Sequence, residues 1–403
     1  MWLLSPSQIV VAIIVDLIVG DPHGWPHQAR FAGVLSTAYE GWLTRHFSRS
    51  FRSGLLFWFL VVGTMVAGYV IIRVICSLIS PIASYAFDVF IIYQAIAARD
   101  LHRHAEMVMQ ALVSGDLGAA RKRLSYIVGR DTRDLDASEI SRATIESVSE
   151  SLVDGIVAPL FWAVIGGAPG ALIYRTANTL DSMVGHRTPA YEKFGKPSAR
   201  IDDLLNWAPA RLCALMICLF RVPASWPKVQ REAGTHASPN AGWPEAAMAY
   251  GLGVRLGGTN YYDGEAIEGP VFNASGRIAA ISDIKNSLAR IWWVVFAAGG
   301  MLIGLSSVPE GLAMVAWHAV PGKTTTVIRP VGNGVISGCQ GSSTSQEKRH
   351  AVATRSYRTL RDGLFDATSP GISCLATLNL SLRDTKCHLG ANERLVDQME
   401  HVS

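Results

Sequence analysis

Apolar residues along this chain gather in long runs, not at the spacing of an amphipathic surface helix. Gly54–Ile72, Gly155–Tyr174 and Ile291–Val308 carry no charged side chain. Each approaches the roughly 20 helical residues that cross a hydrocarbon core of about 30 Å. Val74–Ala98 is a fourth such run, with Pro81 and Asp88 inside it. Leu204–Phe220 is a weaker fifth, interrupted by Pro209 and Arg211. The shorter run Gln8–Gly20 holds Asp16, follows no basic segment and lacks a small-x-small cleavage signal, so it reads as a retained membrane-embedded helix. Backbone at membrane depth must satisfy its own hydrogen bonds, and the pattern therefore predicts an all-α, polytopic integral membrane protein.

The polar segments between these runs are long and rich in cations. Gly20–Ser53 holds four Lys/Arg, Arg99–Glu150 eight, Arg175–Asp203 five and Arg221–Arg290 seven. The positive-inside rule sends all of them to the cytoplasm as loops, which single crossings between them would forbid. Gly155–Tyr174 offers a way out, because Gly166, Gly167, Pro169 and Gly170 stand at its centre. Such a cluster breaks a helix and predicts a re-entrant segment of two half-helices entering and leaving on one side. Re-entrant backbone lies against protein or water, where sites concentrate. From Ala319 onward two aromatics, Tyr357 and Phe365, accompany 18 Ser/Thr. The expected domains are a membrane-embedded unit over 1–317 and a polar, disordered tail over 318–403.

Composition agrees with that class. Hydrophobic residues make up 49% and charged residues 17%, where a soluble domain carries about 25% charged. The net charge of +4 comes without a dense basic run, so nucleic acid is not an expected partner. The six cysteines include no C-x-x-C pair and do not suggest a disulfide framework.

Candidate chemistry lies in four places. Glu146, Glu150 and Asp154 fall at i, i+4 and i+8, one helix face, at the entry to an apolar run. Stacked like charges repel and need a counter-charge, for which Mg²⁺ is the natural ligand of carboxylates. Arg175, Asn178 and Asp181 follow the glycine-broken segment, and Asn178 and Asp181 share a face; Asp202 and Asp203 add two acids near the fifth run. His236-Ala-Ser238-Pro-Asn240-Ala-Gly-Trp-Pro-Glu245 is forced into a loop by its prolines and glycine, which displays His236, Ser238 and Asn240 and leads into Glu245. Gly129-Arg130-Asp131-Thr132 and the Arg255 of Gly251–Gly258 suit anion recognition, since Arg is a bidentate donor to phosphate or carboxylate. Gly322-Lys-Thr is a false P-loop, because Trp317 stands where its first glycine belongs, and His102 and His104 do not share a helix face.

Together these words are far more specific than any one alone. G-R-D-T, E-S-V-x-E-x-x-x-D-G, G-G-x-P-G-A-L-x-Y-R, N-T-L-D-S-M-V-G, S-A-R-x-D-D-L, H-x-S-P-N-A-G-x-P-E-A-A-M-A and L-G-V-R-L-G-G resemble the CobD/CbiB family of adenosylcobinamide-phosphate synthases, in order over roughly residues 10–310. D-L-I-V-G-D-P at Asp16–Pro22 fits as well. The family usually has Asn where Ser151 stands. The resemblance implies a multi-pass inner-membrane enzyme with its active segments facing the cytoplasm. It implies joining of (R)-1-aminopropan-2-ol, or its O-phosphate, to adenosylcobyric acid with ATP and Mg²⁺. The lipid bilayer and other membrane enzymes of the pathway are the remaining expected partners.

That chemistry assigns expected roles. Glu146, Glu150 and Asp154 hold metal; Arg130, Asp131, Thr132, Arg175, Asn178, Ser238, Asn240 and Arg255 bind the cofactor; His236, Glu245 and Asp181 are catalytic. Buried acids beside a broken helix also describe an ion-coupled transporter, and a membrane scaffold is a third reading. The polar residues lie mostly outside the apolar runs, which favours an enzyme.

Overall fold

Apolar runs become helices, and so do most of the polar segments between them. In the computed structural model residues 6–22, 24–186 and 188–306 are described; the expected tail over 318–403 and the end of the Ile291–Val308 run lie outside them. The helices are α1 (Pro6–Val19), α2 (Gln28–His46), α3 (Phe51–Ile79), α4 (Pro81–Ala95), α5 (Ala98–Val113), α6 (Leu117–Leu124) and α7 (Ala137–Leu152). A π-turn, Val153–Val157, joins α7 to α8 (Ala158–Val184), followed by α9 (Lys196–Arg221), α10 (Trp226–Ala233), α11 (Gly242–Leu252) and, after a β-hairpin, α12 (Ile281–Ser306). Phe51–Ile79, Pro81–Val113 and Ala137–Val184 are long and apolar enough to cross a membrane. The cation-rich segments expected as loops hold α5, α6, α7 and α10.

Two breaks fold helices back on themselves. Ser80 is extended (φ −167°, ψ 157°); it ends α3 and its side chain caps α4, where Pro81 occupies the first turn. The expected span Val74–Ala98 is therefore divided. Tyr69 and Arg73 of α3 donate to Asp88 of α4 at 2.6 and 3.0 Å, and Gln8 of α1 donates at 3.1 Å. In a continuous helix Tyr69 and Asp88 would stand about 28 Å apart. The hairpin tip is apolar and open, with Leu78, Ile79 and Ile82 each more than 70% exposed, a surface suited to lipid.

The second break is at Gly167, with φ 62° and ψ −152°. Asn178 of α8 reaches the Asp154 carboxylate at 3.3 Å, although a straight helix would separate these residues by about 36 Å. The glycine cluster thus makes a helical hairpin. Gly170 lies so close to Trp162 that an added Cβ would sit 2.2 Å from its carbonyl oxygen. Pro209 also leaves a trace in α9. It has no N–H for the Leu205 carbonyl, and the Trp162 indole donates to that carbonyl at 3.0 Å.

The described residues are mostly helical, as expected, and the departure from an all-α class is a single two-stranded hairpin. β1 (Leu256–Tyr262) and β2 (Glu265–Phe272) form an antiparallel hairpin. Its turn residues Asp263 and Gly264 have φ 51° and 82°, the left-handed pair that Asp-Gly supplies. The main core gathers α1, α4, α5, α7, α8, α9, α11 and α12, and a smaller one packs Phe57 and Val61 of α3 against Leu180, Val184 and Phe194.

Candidate functional site

Glu146 and Glu150 share the α7 face that their spacing predicts, Asp154 falls in the π-turn beyond it, and each acid meets a different partner. Asp136 opens α7 with a capping box to Glu139. Two turns on, Glu146 is buried and accepts from Arg130, from Arg142 at 3.3 Å and from the Gly257 N–H at 2.7 Å. The counter-charge here is guanidinium. Burial disfavours the Arg130 charge, yet the Glu146 carboxylate outweighs it and holds Arg130 above its ordinary value. Arg130 also binds the Asn260 side chain, and Arg142 donates to the Gly257 and Thr259 carbonyls at 2.8 and 3.2 Å.

The G-R-D-T segment is thereby a latch for the β-hairpin. The Asp131 N–H donates to the Tyr261 carbonyl at 2.8 Å, and the Asp131 carboxylate accepts from the Gly264 N–H at 2.7 Å. Thr132 is buried beside it. Arg130 and Asp131, expected at a cofactor, anchor the hairpin to α7. Arg255, at the head of β1, keeps an exposed side chain while its N–H donates to the Arg277 carbonyl.

One turn beyond Glu146, Glu150 meets the H-x-S-P-N segment and α11. Donor atoms of Glu150, His236 and Glu245 lie within 4.8 Å of one another, and His236 Nε2 stands 3.7 Å from Glu245 Oε1. Glu150 is solvent-exposed near the end of α7. Glu245 is buried, and its Oε1 has no hydrogen bond. Burial, then repulsion from Glu150 and Glu146, pushes the Glu245 carboxyl well above the usual range. Burial likewise lowers His236 from its ordinary value, against the pull of Ser238, and so favours the neutral imidazole.

The loop residues hold that imidazole. Ser238 Oγ accepts from the Asn240 and Ala241 N–H groups, both at 3.2 Å. His236 Nδ1 accepts the Ser238 N–H at 2.9 Å, or in the other tautomer donates to the Ser238 carbonyl at 3.3 Å. The ring stacks on Phe272 of β2. Gly242 is required here, since a Cβ would come within 2.7 Å of His236 Cβ. Asn240 Nδ2 donates to the Asp203 carbonyl at 2.8 Å and ties the loop to α9. Ser238 and Asn240 are thus builders of the loop.

Asp154 sits in the π-turn and belongs to a further cluster. Tyr174 donates to Asn206 at 2.9 Å and lies 3.4 Å from Asp154; Asn178 Nδ2 donates to Asp154 and Asp202 at 3.3 and 3.4 Å. Asn206 donates to Asp202 at 3.1 Å. Arg175 is fully buried and reaches the Asp154 carbonyl at 3.5 Å. Asp181, one turn from Asn178, faces the charges of Asp154 and Asp203. A π-turn inserts one residue and re-aims the helix face, a feature common at functional sites. The sequence reading missed Arg142, Asn260, Tyr174 and Asn206. Two of them carried a signal, Arg142 four residues before Glu146 and Tyr174 within the G-G-x-P-G-A-L-x-Y-R word.

The family model described as CobD/Cbib protein matches residues 9–291. A cobalamin biosynthesis protein CobD of Klebsiella pneumoniae is 39% identical over 295 residues, which covers 70% of this chain and 91% of that protein. Its counterpart in Geobacter metallireducens is 43% identical over 269 residues, covering 65% and 84%. One from Clostridium perfringens is 39% identical over 284 residues, covering 69% and 90%. No solved structure matches.

Proposed function

This chain belongs to the CobD/CbiB family of cobalamin biosynthesis proteins, and from that membership we propose that it joins (R)-1-aminopropan-2-ol or its O-phosphate to adenosylcobyric acid in an ATP-dependent amide synthesis. The observation that carries the reading is the Glu150–His236–Glu245 trio, with a buried Glu245 oxygen that lacks a donor.

A propionate does not react with an amine at neutral pH, so it must be activated. In the simplest route the γ-phosphoryl of ATP passes to a propionate oxygen, releasing ADP and leaving an acyl phosphate. The neutral amine attacks the carbonyl carbon, the C–N bond forms, and the C–O bond to phosphate breaks. One proton leaves the new ammonium. His236 suits its acceptance: when Nδ1–H donates to the Ser238 carbonyl, Nε2 carries a lone pair.

The donor set fits Mg²⁺. Ligands about 2.1 Å from an ion stand about 3 to 4.2 Å apart, and donor atoms of Glu150 and Glu245 lie within 4.8 Å of each other. The ion would neutralise phosphate charge and replace the proton that Glu245 otherwise keeps. Exposed Arg255 would be a cation able to meet a phosphate. The Gly167 hairpin would serve as the re-entrant segment that brings α7 and α8 to the cytoplasmic side of an inner membrane.

Purified protein incubated with adenosylcobyric acid, ATP, Mg²⁺ and each amine tests the proposal. Formation of adenosylcobinamide or its phosphate, abolished by His236→Ala, is the expected result. No product with either amine, together with uptake of corrinoid by reconstituted vesicles, would replace the synthase by a transporter.

A further inference from the structure

Helix α9 is built inside out. Asp202 and Asn206 point inward, both buried, and hold Asn178 and Tyr174 of α8. Ala210, Cys213 and Ile217 continue that buried face toward the C-terminus. The opposite face carries Leu204, Trp207, Arg211, Leu215 and Leu219 within about 120° of arc. Leu204, Trp207 and Leu219 are each more than half exposed. A helix in water shows the reverse pattern, with its leucines against protein. The hydrogen bonds of Asp202 and Asn206 fix the rotation, so this stripe cannot turn inward.

Arg211 is the one charged residue between Leu204 and Leu219, and the fold holds it in place. Its guanidinium carbon lies 4.4 Å from the ring centre of Trp207 and 4.6 Å from that of Trp243 on α11. Both distances are those of cation–π contacts. Nη1 donates to the Trp207 carbonyl at 2.7 Å and lies 3.5 Å from Asn240 Oδ1. A guanidinium has five N–H donors, and among the described residues no carboxylate forms an ion pair with this one.

Two independent observations therefore meet on one surface, an outward apolar stripe and an ordered cation without a counter-ion. An amphiphile with an anionic head answers both. Tryptophans beside the cation suit a headgroup layer. Moreover, α9 packs against α3 and α8, which belong to segments long and apolar enough to cross a membrane. Leu215 and Leu219 stand about 6 and 12 Å along the helix from Arg211, within the roughly 15 Å that one leaflet of acyl chain fills. A second copy of this chain, docked by two-fold symmetry, would bring the same leucines and another arginine, and no anion.

We propose that the Leu204–Leu219 face of α9 binds an anionic phospholipid, whose phosphate meets the Arg211 guanidinium and whose acyl chains lie along the leucines. Arginine suits the role, being weakly hydrated and bidentate toward phosphate. The readout is bound lipid and not turnover, so the proposal does not rest on the amide-forming reading.

The test uses the full chain in detergent, with bound lipid counted by native mass spectrometry. Phosphatidylglycerol, phosphatidylcholine and inorganic phosphate are the probes. The expected result is preferential retention of phosphatidylglycerol, which inorganic phosphate does not displace because it lacks the chains. Arg211→Gln lowers that affinity about fivefold or more, the worth of one basic residue at an anionic surface, and leaves phosphatidylcholine unchanged. Leu215→Ser with Leu219→Ser weakens both lipids. Trp207→Leu keeps the stripe apolar but removes one stacking ring, and its smaller preference is readable even where Arg211→Gln fails to fold. Equal retention of the two lipids overturns the proposal, as does undiminished phosphatidylglycerol binding by Arg211→Gln. Displacement by phosphate alone would assign Arg211 to a soluble anion, and a lipid-free dimer broken by the two serines would assign the face to a second copy; either result overturns it.

Discussion

Removing the Arg130–Glu146 pair one partner at a time has a consequence that can be sized. Arg130 and Glu146 are both nearly excluded from water, at 8% side-chain exposure each. Breaking such a buried pair by truncating one member costs about 3–5 kcal/mol, because the survivor is an uncompensated buried charge. For Arg130→Met the lower end applies, since Glu146 keeps Arg142 at 3.3 Å and the Gly257 N–H at 2.7 Å. Glu146→Leu falls at the upper end, because it removes the one carboxylate that Arg130, Arg142 and the Gly257 amide share. Replacing both partners by apolar groups is far cheaper than the sum, as neither charge then remains. Thermal unfolding in detergent moves by roughly 2 °C or more per kcal/mol, so Arg130→Met lowers the midpoint by about 6 °C. Hydrogen exchange adds the location, with the Gly257 amide and the β1–β2 ladder losing protection first. Single-variant losses that simply add in the double variant, or unchanged exchange at Gly257, would refute the latch.

Three further outcomes follow from the geometry. Without divalent cation, the proton on Glu245 ties stability to pH: the group sits well above 4.5 when folded, so its contribution is complete below pH 4.5 and is lost as pH rises toward the folded value. Mg²⁺ offsets that decline and Glu245→Gln abolishes it; melting curves across pH with and without chelator show whether the slope survives the substitution. At the helix break, Gly167→Ala strains a backbone at φ 62° and Gly170→Ala drives a methyl onto the Trp162 carbonyl, whereas Gly166→Ala meets nothing within 4 Å; expression in folded form separates the first two from the third, and equal tolerance of all three would contradict the hairpin. Finally, cysteines placed at Ser138 and Thr188 in a cysteine-free background stay unlabelled by an impermeant maleimide on intact cells and react once the membrane is opened; labelling of either from outside makes the Gly167 segment a full crossing.

The sequence by itself determined the apolar runs, the break at Gly166–Gly170 and the ladder of Glu146, Glu150 and Asp154. Each depends on local chemistry: hydropathy over about 20 residues, the missing Cβ and N–H of glycine and proline, and the 3.6-residue period. The family too was legible, because G-R-D-T and H-x-S-P-N-A-G stand in a fixed order. Which acid meets which partner was not. Glu146 and Gly257, or Glu150 and Glu245, are about a hundred residues apart, and only the docking of α11 and the β-hairpin against α7 brings them together. The β-hairpin itself was hidden, since Gly257 and Gly258 read as flexible backbone until the bulge they form and the Asp263–Gly264 turn gave them a register. The fold likewise decided that one ladder serves three environments: a latch, an exposed position beside His236 and Glu245, and a buried cluster. A helix face fixes direction alone, and the chemistry of each carboxylate is set by what the rest of the chain packs against it.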